Sequence, residues 1–325
     1  MTSYRSRRSL LRTLAAALAL TLAAPLALPA AADAAEKTVR IGWLRGPNDL
    51  TLAKARGTLE KALAEKNVTV EWVGPFPAAA PAFEALNAGS IDITAGSSTS
   101  AVAALAARVP LVIFAYQKMS AAAEGIVVKK DSGIESLKDL TGKSVAVNRG
   151  GTGEYLLMRA LEKNGVDPAG VTRVYLSPSD SGPSFVQGHV AAWATWDPFV
   201  AIAKKSYDAR VLADGAAIGS DNAVVLVASR SFAEKDRPLL QTVFDVVKAD
   251  NAWAIAHKDE AGAIWAEAMK IPADLGPEIG VNAAVPTTAV TAKDIAQIEA
   301  IADWYVASKI IPVRPDIAAG VVTLD

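Results

Sequence analysis

Two short stretches of this chain concentrate groups that can hold an anion without a formal counter-charge. Gly96-Ser97-Ser98-Thr99 and Asn148-Arg149-Gly150-Gly151-Thr152-Gly153 each place glycines and small hydroxyl or amide side chains just before a helical pattern. The first turn of a helix has unpaired backbone N–H groups and carries the positive end of the helix dipole, so it offers a negative group both donors and field. Serine and threonine also start helices for local reasons, as N-caps, and that role is open to either stretch taken alone. Arg45, next to Gly46 in a turn after an apolar run, and Arg149 could add charge-assisted hydrogen bonds or stand as solvated surface side chains.

A third feature is the run Gly188-His189-Val190-Ala191-Ala192-Trp193-Ala194-Thr195-Trp196-Asp197-Pro198-Phe199. Asp at an N-cap followed by Pro at the first helical position marks a helix start. The run therefore predicts a strand ending in Trp196, an abrupt turn and a new helix. Strand ends of an α/β sheet are where ligands sit. Trp193, Trp196, Trp43 and Phe199 are candidate apolar walls, and Trp43 and Trp193 fit a core role equally well. Asp197 fits a structural cap, because a bare carboxylate would repel an anion. Ser177, Ser179 and Ser181 follow another strand and could complete a cleft.

These turns need a framework, and the chain supplies alternating strand and helix patterns. Strands are expected at Val39–Trp43, Val68–Val73, Ile91–Ile93 and Leu111–Tyr116. Between them, helices are expected from Asn48-Asp49 through Leu63, over Pro81–Ala88 and over Ser97–Ala107. The pattern restarts after Lys118, with strands at Gly125–Val128, Val145–Val147, Val171–Leu176, Val190–Trp196 and Arg210–Leu212 and a helix over Gly153–Asn164. A last section opens with a strand at Ala223–Ala228 and continues as helices over Arg237–Lys258, Glu260–Ala268 and Thr291–Ser308. Such alternation predicts an α/β fold with mostly parallel sheets flanked by helices.

The N-terminus suggests where the chain works. Arg5, Arg7, Arg8 and Arg12 precede an uncharged Ala/Leu-rich stretch from Leu14 to Leu28, and Ala32-Asp33-Ala34 fits a small-x-small cleavage site. Residues 1–34 are thus expected to be a secretory signal peptide, the apolar run being too short for a membrane anchor. Ser6-Arg7-Arg8-Ser9-Leu10-Leu11-Arg12 fits a twin-arginine signal, and a general secretion signal rich in arginine remains open. The chain has no cysteine, which excludes a lipobox and disulfides. Losing four arginines and Asp33 from 33 basic and 34 acidic residues leaves a net charge of −4, which argues against a nucleic-acid or membrane-surface partner.

Ala192 to Phe199 resembles the "AWxxWDPF" signature of aliphatic-sulfonate-binding proteins, the solute receptors of ABC importers. The resemblance runs from about Val39 to Val313. It includes Leu52 to Lys61, Val70-Glu71-Trp72-Val73, Ala85-Leu86-Asn87-Ala88-Gly89-Ser90-Ile91-Asp92 (similar to "EALxxGxID"), Tyr155 to Lys163 and Ala228 to Ala233. It implies a two-lobed periplasmic-binding-protein class II fold with two crossover segments at the hinge, near 117–123 and 218–223. Residues 35–118 and 222–325 would form one lobe, and 119–221 the other. It also implies a monomeric periplasmic receptor, without a cofactor, that passes a small anion to importer permease subunits. A sulfonate is a permanent monoanion with three acceptor oxygens, which suits the two donor-rich turns. The expected ligand set is Arg45, Gly46, Gly96, Ser97, Ser98, Thr99, Gly150, Gly151, Thr152, Gly153, Trp193 and Trp196. The chain departs from the family pattern in the ligand loops: Gly96-Ser97-Ser98-Thr99-Ser100 stands where Gly-Asp-Ala-Pro is common, and Ala191-Ala192-Trp193 where "DAW" is usual. Taurine, nitrate and pyrimidine-precursor cargoes therefore stay open beside alkanesulfonates.

Enzyme signatures are missing. There are two histidines, His189 and His257, with no metal-ligand spacing. Gly151-Thr152-Gly153-Glu154 is neither a Walker loop nor a full dinucleotide fingerprint, and no Gly-x-Ser-x-Gly elbow occurs. A binding protein is the expectation, with a secreted α/β enzyme on the same scaffold as the alternative.

Overall fold

The computed structural model describes residues 37–325, so the expected leader lies outside the described residues. The chain begins with β1 (Lys37–Leu44), which buries Val39 and Ile41 at period two. Asn48 caps α1 (Asp49–Arg56), its Oδ1 accepting the Thr51 N–H at 3.1 Å. One continuous helix through Leu63 was expected. Gly57 instead turns left-handed at φ 66°, ending α1 and starting α2 (Thr58–Ala64). β2 (Val68–Phe76), α3 (Ala79–Asn87), β3 (Ile93–Ser97), α4 (Ser98–Ala106) and β4 (Leu111–Lys118) follow. β3 starts two residues later than expected. The Asp92 carboxylate accepts the Arg40 backbone N–H at 2.9 Å and pairs with its guanidinium at 2.8 Å, so a side chain takes up pairing at the strand's entrance.

The chain then builds β5 (Glu124–Lys129), β6 (Ser144–Val147), α5 (Thr152–Lys163), β7 (Thr172–Tyr175), α6 (Pro178–Val186), β8 (Ala192–Trp196), α7 (Phe199–Ser206), β9 (Ala209–Asp214) and the short α8 (Gly215–Ile218). It returns through β10 (Ala223–Ser229) to α9 (Arg230–Lys235), α10 (Arg237–Ala256), α11 (Lys258–Met269), α12 (Gly276–Ala283), β11 (Thr287–Ala289) and α13 (Ala292–Ala307). The sequence patterns missed α6, α8, α9, α12 and β11, which are short. α6 carries Pro183 inside it and is poor in helix formers, so packing rather than propensity forms it.

Among the described residues, eleven strands form two sheets. The first has the order β11-β4-β10-β3-β1-β2, and the second β7-β6-β8-β5-β9. β1 runs parallel to β2 and β3, and β6 parallel to β7 and β8. β10 runs antiparallel to β3 and β4, and β5 antiparallel to β8 and β9. The antiparallel strands β5 and β10 are those entered directly after the chain passes between sheets. The two passages meet where the Met119 N–H donates to the Asn222 carbonyl at 3.3 Å.

Apolar side chains pack both sheets. α1, α2, α9 and α10 cover one face of the first around Ile41, Phe114 and Phe244, all buried. Phe185, Trp193 and Val200 fill a smaller core on the second. A third cluster spans both sheets through α4, α5 and α13, joining Val102, Leu157 and Tyr305. Among the described residues, no helix is long and apolar enough to cross a membrane.

Candidate ligand-binding site

The carboxyl ends of both sheets converge on one cavity of about 100 Å³. The first sheet supplies Leu44 to Asn48 after β1, Ala95 to Ser97 at the end of β3, Ser100 on α4 and Gln117 on β4. The second supplies Asn148 and Thr152 after β6 and Trp196 and Asp197 after β8. Asn282, Ala283 and Val285, on and after α12, close the wall.

Of the expected ligand set, Arg45, Gly46, Gly96, Ser97, Thr152 and Trp196 line this space. Ser97 is the N-cap of α4. Its hydroxyl accepts the Ser100 N–H at 3.1 Å and lies 2.8 Å from the Thr99 hydroxyl and 2.9 Å from that of Ser100. Gly96 is needed for space, since a Cβ there would come within 2.4 Å of the Phe83 ring.

Six members of the set sit elsewhere. Ser98 and Thr99 are fully buried and donate to Asn222 Oδ1 at 3.2 and 3.3 Å, so their hydroxyls are spent on the framework. Gly150 faces an adjoining space, and its N–H donates to the Glu154 carboxylate at 2.7 Å. Gly151 is the N-cap of α5, and a Cβ there would overlap the Asn148 amide at 1.9 Å. The Gly153 N–H donates to Asn148 Oδ1 at 2.8 Å, and a Cβ at Gly153 would meet the Ala194 carbonyl at 2.2 Å. Trp193 is a correction. Its strand neighbour Trp196 faces the cavity, whereas Trp193 is 2 % exposed and packs in the core 5.6 Å from Phe199. Residues three apart on a strand point to opposite faces, so the pair could not share one wall.

Asp197 also departs from expectation. Pro198, joined to it by a cis peptide, is the N-cap of α7. The Asp197 carboxylate accepts the Ala201 N–H at 3.3 Å and Asn282 Nδ2 at 2.7 Å, tying the second sheet to α12. Burial pushes this carboxyl up to about 6, against the pull of the Asn282 hydrogen bond. The role is structural, as expected: Pro198 takes the N-cap position, but Asp197 still accepts a first-turn N–H of α7 and in addition ties that turn to α12.

Other expected candidates lie apart from the cavity. Trp43 is half-buried beneath Lys54, and Phe199 stands edge-on to Trp196. The Arg149 guanidinium stacks on Tyr175 at 3.7 Å. Ser177 caps α6 and lines the adjoining space, which shares Pro77, Ala78, Ser100 and Asn148 with the cavity.

Several lining residues had no sequence signal of their own: Gln117, Met119, Ser120 and Asn282. Gln117 is committed to the Val285 carbonyl at 2.8 Å and Thr287 at 3.0 Å. Asn148 Oδ1 takes the Gly153 N–H, which leaves its Nδ2 as a donor for the cavity. The site thus offers hydroxyls from Ser97, Ser100 and Thr152, an amide from Asn148 and one guanidinium, Arg45, with Trp196 as an apolar wall. Among the described residues, no group of three or more His, Asp or Glu side chains is placed to hold a metal ion.

The sequence profile of the NMT1/THI5-like family matches residues 63–261. The chain belongs to this family. It is 33% identical over 287 residues to an aliphatic sulfonates-binding protein of Escherichia coli (strain K12), covering 88% of each chain. It is 33% identical over 201 residues to the taurine-binding periplasmic protein of the same organism, covering 61% of this chain and 60% of that one. Among solved structures it resembles the alkanesulfonate-binding protein SsuA from Xanthomonas axonopodis pv. citri bound to MOPS. The TM-score is 0.81 at 28% identity, covering 88% of this chain and 98% of that one. The family member described here thus has the two-sheet α/β fold of periplasmic binding proteins, and the relatives named are binding proteins rather than enzymes.

Proposed function

We propose that this protein is a periplasmic receptor that captures a small organosulfonate between two lobes and delivers it to an ABC importer. The lobes correspond to residues 35–118 with 222–325 and to 119–221. The observation that carries the reading is the composition of the cavity. Neutral donors arrive from both sheets, and a single guanidinium, Arg45, provides formal positive charge. A sulfonate needs several donors at once and no proton from the protein, and such a set meets both conditions. A ligand touching donors from both sides stabilises the arrangement that brings them together, which is the logic of hinge closure.

Size narrows the class. The cavity holds about 100 Å³, well above the roughly 10–15 Å³ that one water needs, so there is room for a sulfonate head with a short tail. Taurine and short alkanesulfonates fit that description, and longer tails would extend into the adjoining space past Ser100 and Asn148. Isothermal titration of the mature chain with ethanesulfonate and taurine tests this. Saturable binding with a ligand-dependent rise in melting temperature is expected. Absence of both effects with ethanesulfonate, taurine and nitrate would overturn the assignment.

A further inference from the structure

We propose that Asn222 is a positioning residue for the anion site and that Glu124, behind it, makes the hold on the ligand depend on a proton. The inference rests on the sulfonate-binding reading. Asn222 is 1 % exposed and stands where the chain re-enters the first sheet, just before β10. Its Oδ1 accepts from Ser98 Oγ at 3.2 Å and Thr99 Oγ1 at 3.3 Å, both on α4. Its Nδ2 donates to Thr152 Oγ1 on α5 at 3.0 Å and to Glu124 Oε2 on β5 at 3.1 Å. A carboxamide has two N–H donors and two acceptor lone pairs, so one side chain is used to capacity while bridging the first turns of two helices on opposite sides of the cavity.

The consequence falls on Thr152. A threonine hydroxyl has one proton, and an oxygen that already accepts from Asn222 directs that proton away from the amide. Thr152 lines the cavity, so its hydroxyl becomes a donor toward it. The same geometry brings a buried carboxyl to within one amide of the ligand. Burial pushes the Glu124 carboxyl up to about 7, hydrogen bonds from Ser220 and Asn222 pull it down, and the charge of Asp214 adds to the rise. The titratable groups facing it are Asp214 at the end of β9, Tyr155 on α5 and Tyr305 on α13, none of them a cation. Gly215, at the start of α8, presses its backbone close, since a Cβ there would sit 2.8 Å from Glu124 Oε1. An anion in the cavity and an ionised Glu124 repel each other across Asn222. Binding then favours the protonated carboxyl, and by linkage affinity falls as pH rises through the Glu124 titration. Asp197, which lines the cavity itself, titrates about one unit lower and is the competing source of any pH dependence.

The test is calorimetric titration of the mature chain with ethanesulfonate at pH 6 and pH 8, in buffers free of sulfonates. Wild type, Glu124→Gln and Asn222→Asp are compared, with ligand-free melting curves at the same pH values. Wild-type affinity should weaken roughly three- to tenfold from pH 6 to pH 8, and Glu124→Gln should be flat. Asn222→Asp keeps the acceptor for Ser98 and Thr99 but puts a carboxylate beside Glu124. It should bind roughly tenfold or more below wild type at pH 8 and recover much of the loss at pH 6. A Glu124→Gln variant with the wild-type slope would move the effect to Asp197 and overturn the proposal. So would an Asn222→Asp variant that binds like wild type at both pH values. Without ligand, Glu124→Gln should flatten the wild-type fall in melting temperature between pH 6 and 8, and Asn222→Asp should steepen it. If ethanesulfonate binds at neither pH, the sulfonate reading falls. The ligand-free curves still decide the Asn222–Glu124 coupling, and unchanged profiles in both variants would overturn it.

Discussion

The two sheets share one plan and use it differently. In each, three successive parallel strands (β1, β2, β3 or β6, β7, β8) are ordered with the first between the second and third, and the strand entered from the other sheet (β10 or β5) lies beyond the third. The corresponding turns all reach the cavity: Arg45 to Asn48 after β1, Gly96 and Ser97 at the end of β3, Asn148 and Thr152 after β6, and Trp196-Asp197 at the end of β8. The first sheet gives donors from both of its turns. The second gives donors from the β6 turn only, and its β8 turn provides a wall and a tie, Trp196 and Asp197–Asn282. Equivalent places in a repeated topology therefore carry either grip or closure, and topology alone does not say which.

The two tryptophans of β8 test that division most strongly. Trp193→Ala should lower stability by about 3–5 kcal/mol, the range for deleting a buried large side chain, with little direct effect on affinity in the protein that remains folded. Trp196→Ala should melt close to wild type and lose affinity, most for ligands with longer tails. Chemical denaturation beside calorimetry separates the two. Equal stability losses would mean that both rings are core.

The glycines of the two turns differ in what surrounds them. Gly153→Ala drives a methyl into the Ala194 carbonyl, which belongs to β8 and cannot step aside without moving the strand. Gly96→Ala meets the edge of the buried Phe83 ring, a side chain rather than a strand backbone. A loss of about 3 kcal/mol for Gly153→Ala and about 1 kcal/mol for Gly96→Ala is expected from denaturant melts, within the usual range for overpacking. The reverse order would show that the β8 end is the softer of the two.

Buried carboxyls set the pH response of the whole molecule. Burial raises Asp49 to about 6, Asp197 to about 6 and Glu124 to about 7. A carboxyl raised in the folded state keeps its proton there while the unfolded chain has lost it. Stability therefore falls as pH climbs from the unfolded value through the folded one and levels off above. For Glu124, between 4.5 and about 7, the loss is on the order of 3 kcal/mol. Melting temperature should decline from about pH 5 to pH 7.5 and flatten beyond. A rise across that window would mean that these carboxyls are solvated in solution.

Much of the framework was legible because it rests on local signals. Apolar runs placed ten of the eleven strands, Asn48 announced α1, and the Asp-Pro step after Trp196 marked a change from strand to helix. The short β11 escaped because three residues, Thr287 to Ala289, carry no period. The site was half legible. Ser97 and Thr152 could be named from their turns, but their neighbours in those turns, Ser98, Thr99, Gly151 and Gly153, look the same in sequence and face the framework. What separates them is a partner far off in the chain: Asn222, more than 120 residues away, draws Ser98 and Thr99 inward, and Ala194 on β8 presses on Gly153. Asn282 reaches the cavity because α12 is held to Asp197 at the end of β8, and Gln117 at the end of β4 holds the segment after α12, contacts that no single window contains.

The smallest effect expected is also the most direct comparison of the two gripping turns. Thr152→Ala removes a hydroxyl that Asn222 aims at the cavity, and should weaken ethanesulfonate binding by about 1–2 kcal/mol, roughly five- to thirtyfold. Ser97→Ala removes a hydroxyl shared among Thr99, Ser100 and the cavity. Ser100 can still serve that end of α4, so a loss of about 1 kcal/mol or less is expected. Thr152→Ser should restore most of the affinity, since it keeps the oxygen that accepts from Asn222. Gly151 is a poor place for such a test, because any side chain there displaces the Asn148 amide and confounds two donors. Titrations of the three variants rank the turns. A larger loss from Ser97→Ala would place the dominant grip on the first sheet and reduce α5 to the opposing wall.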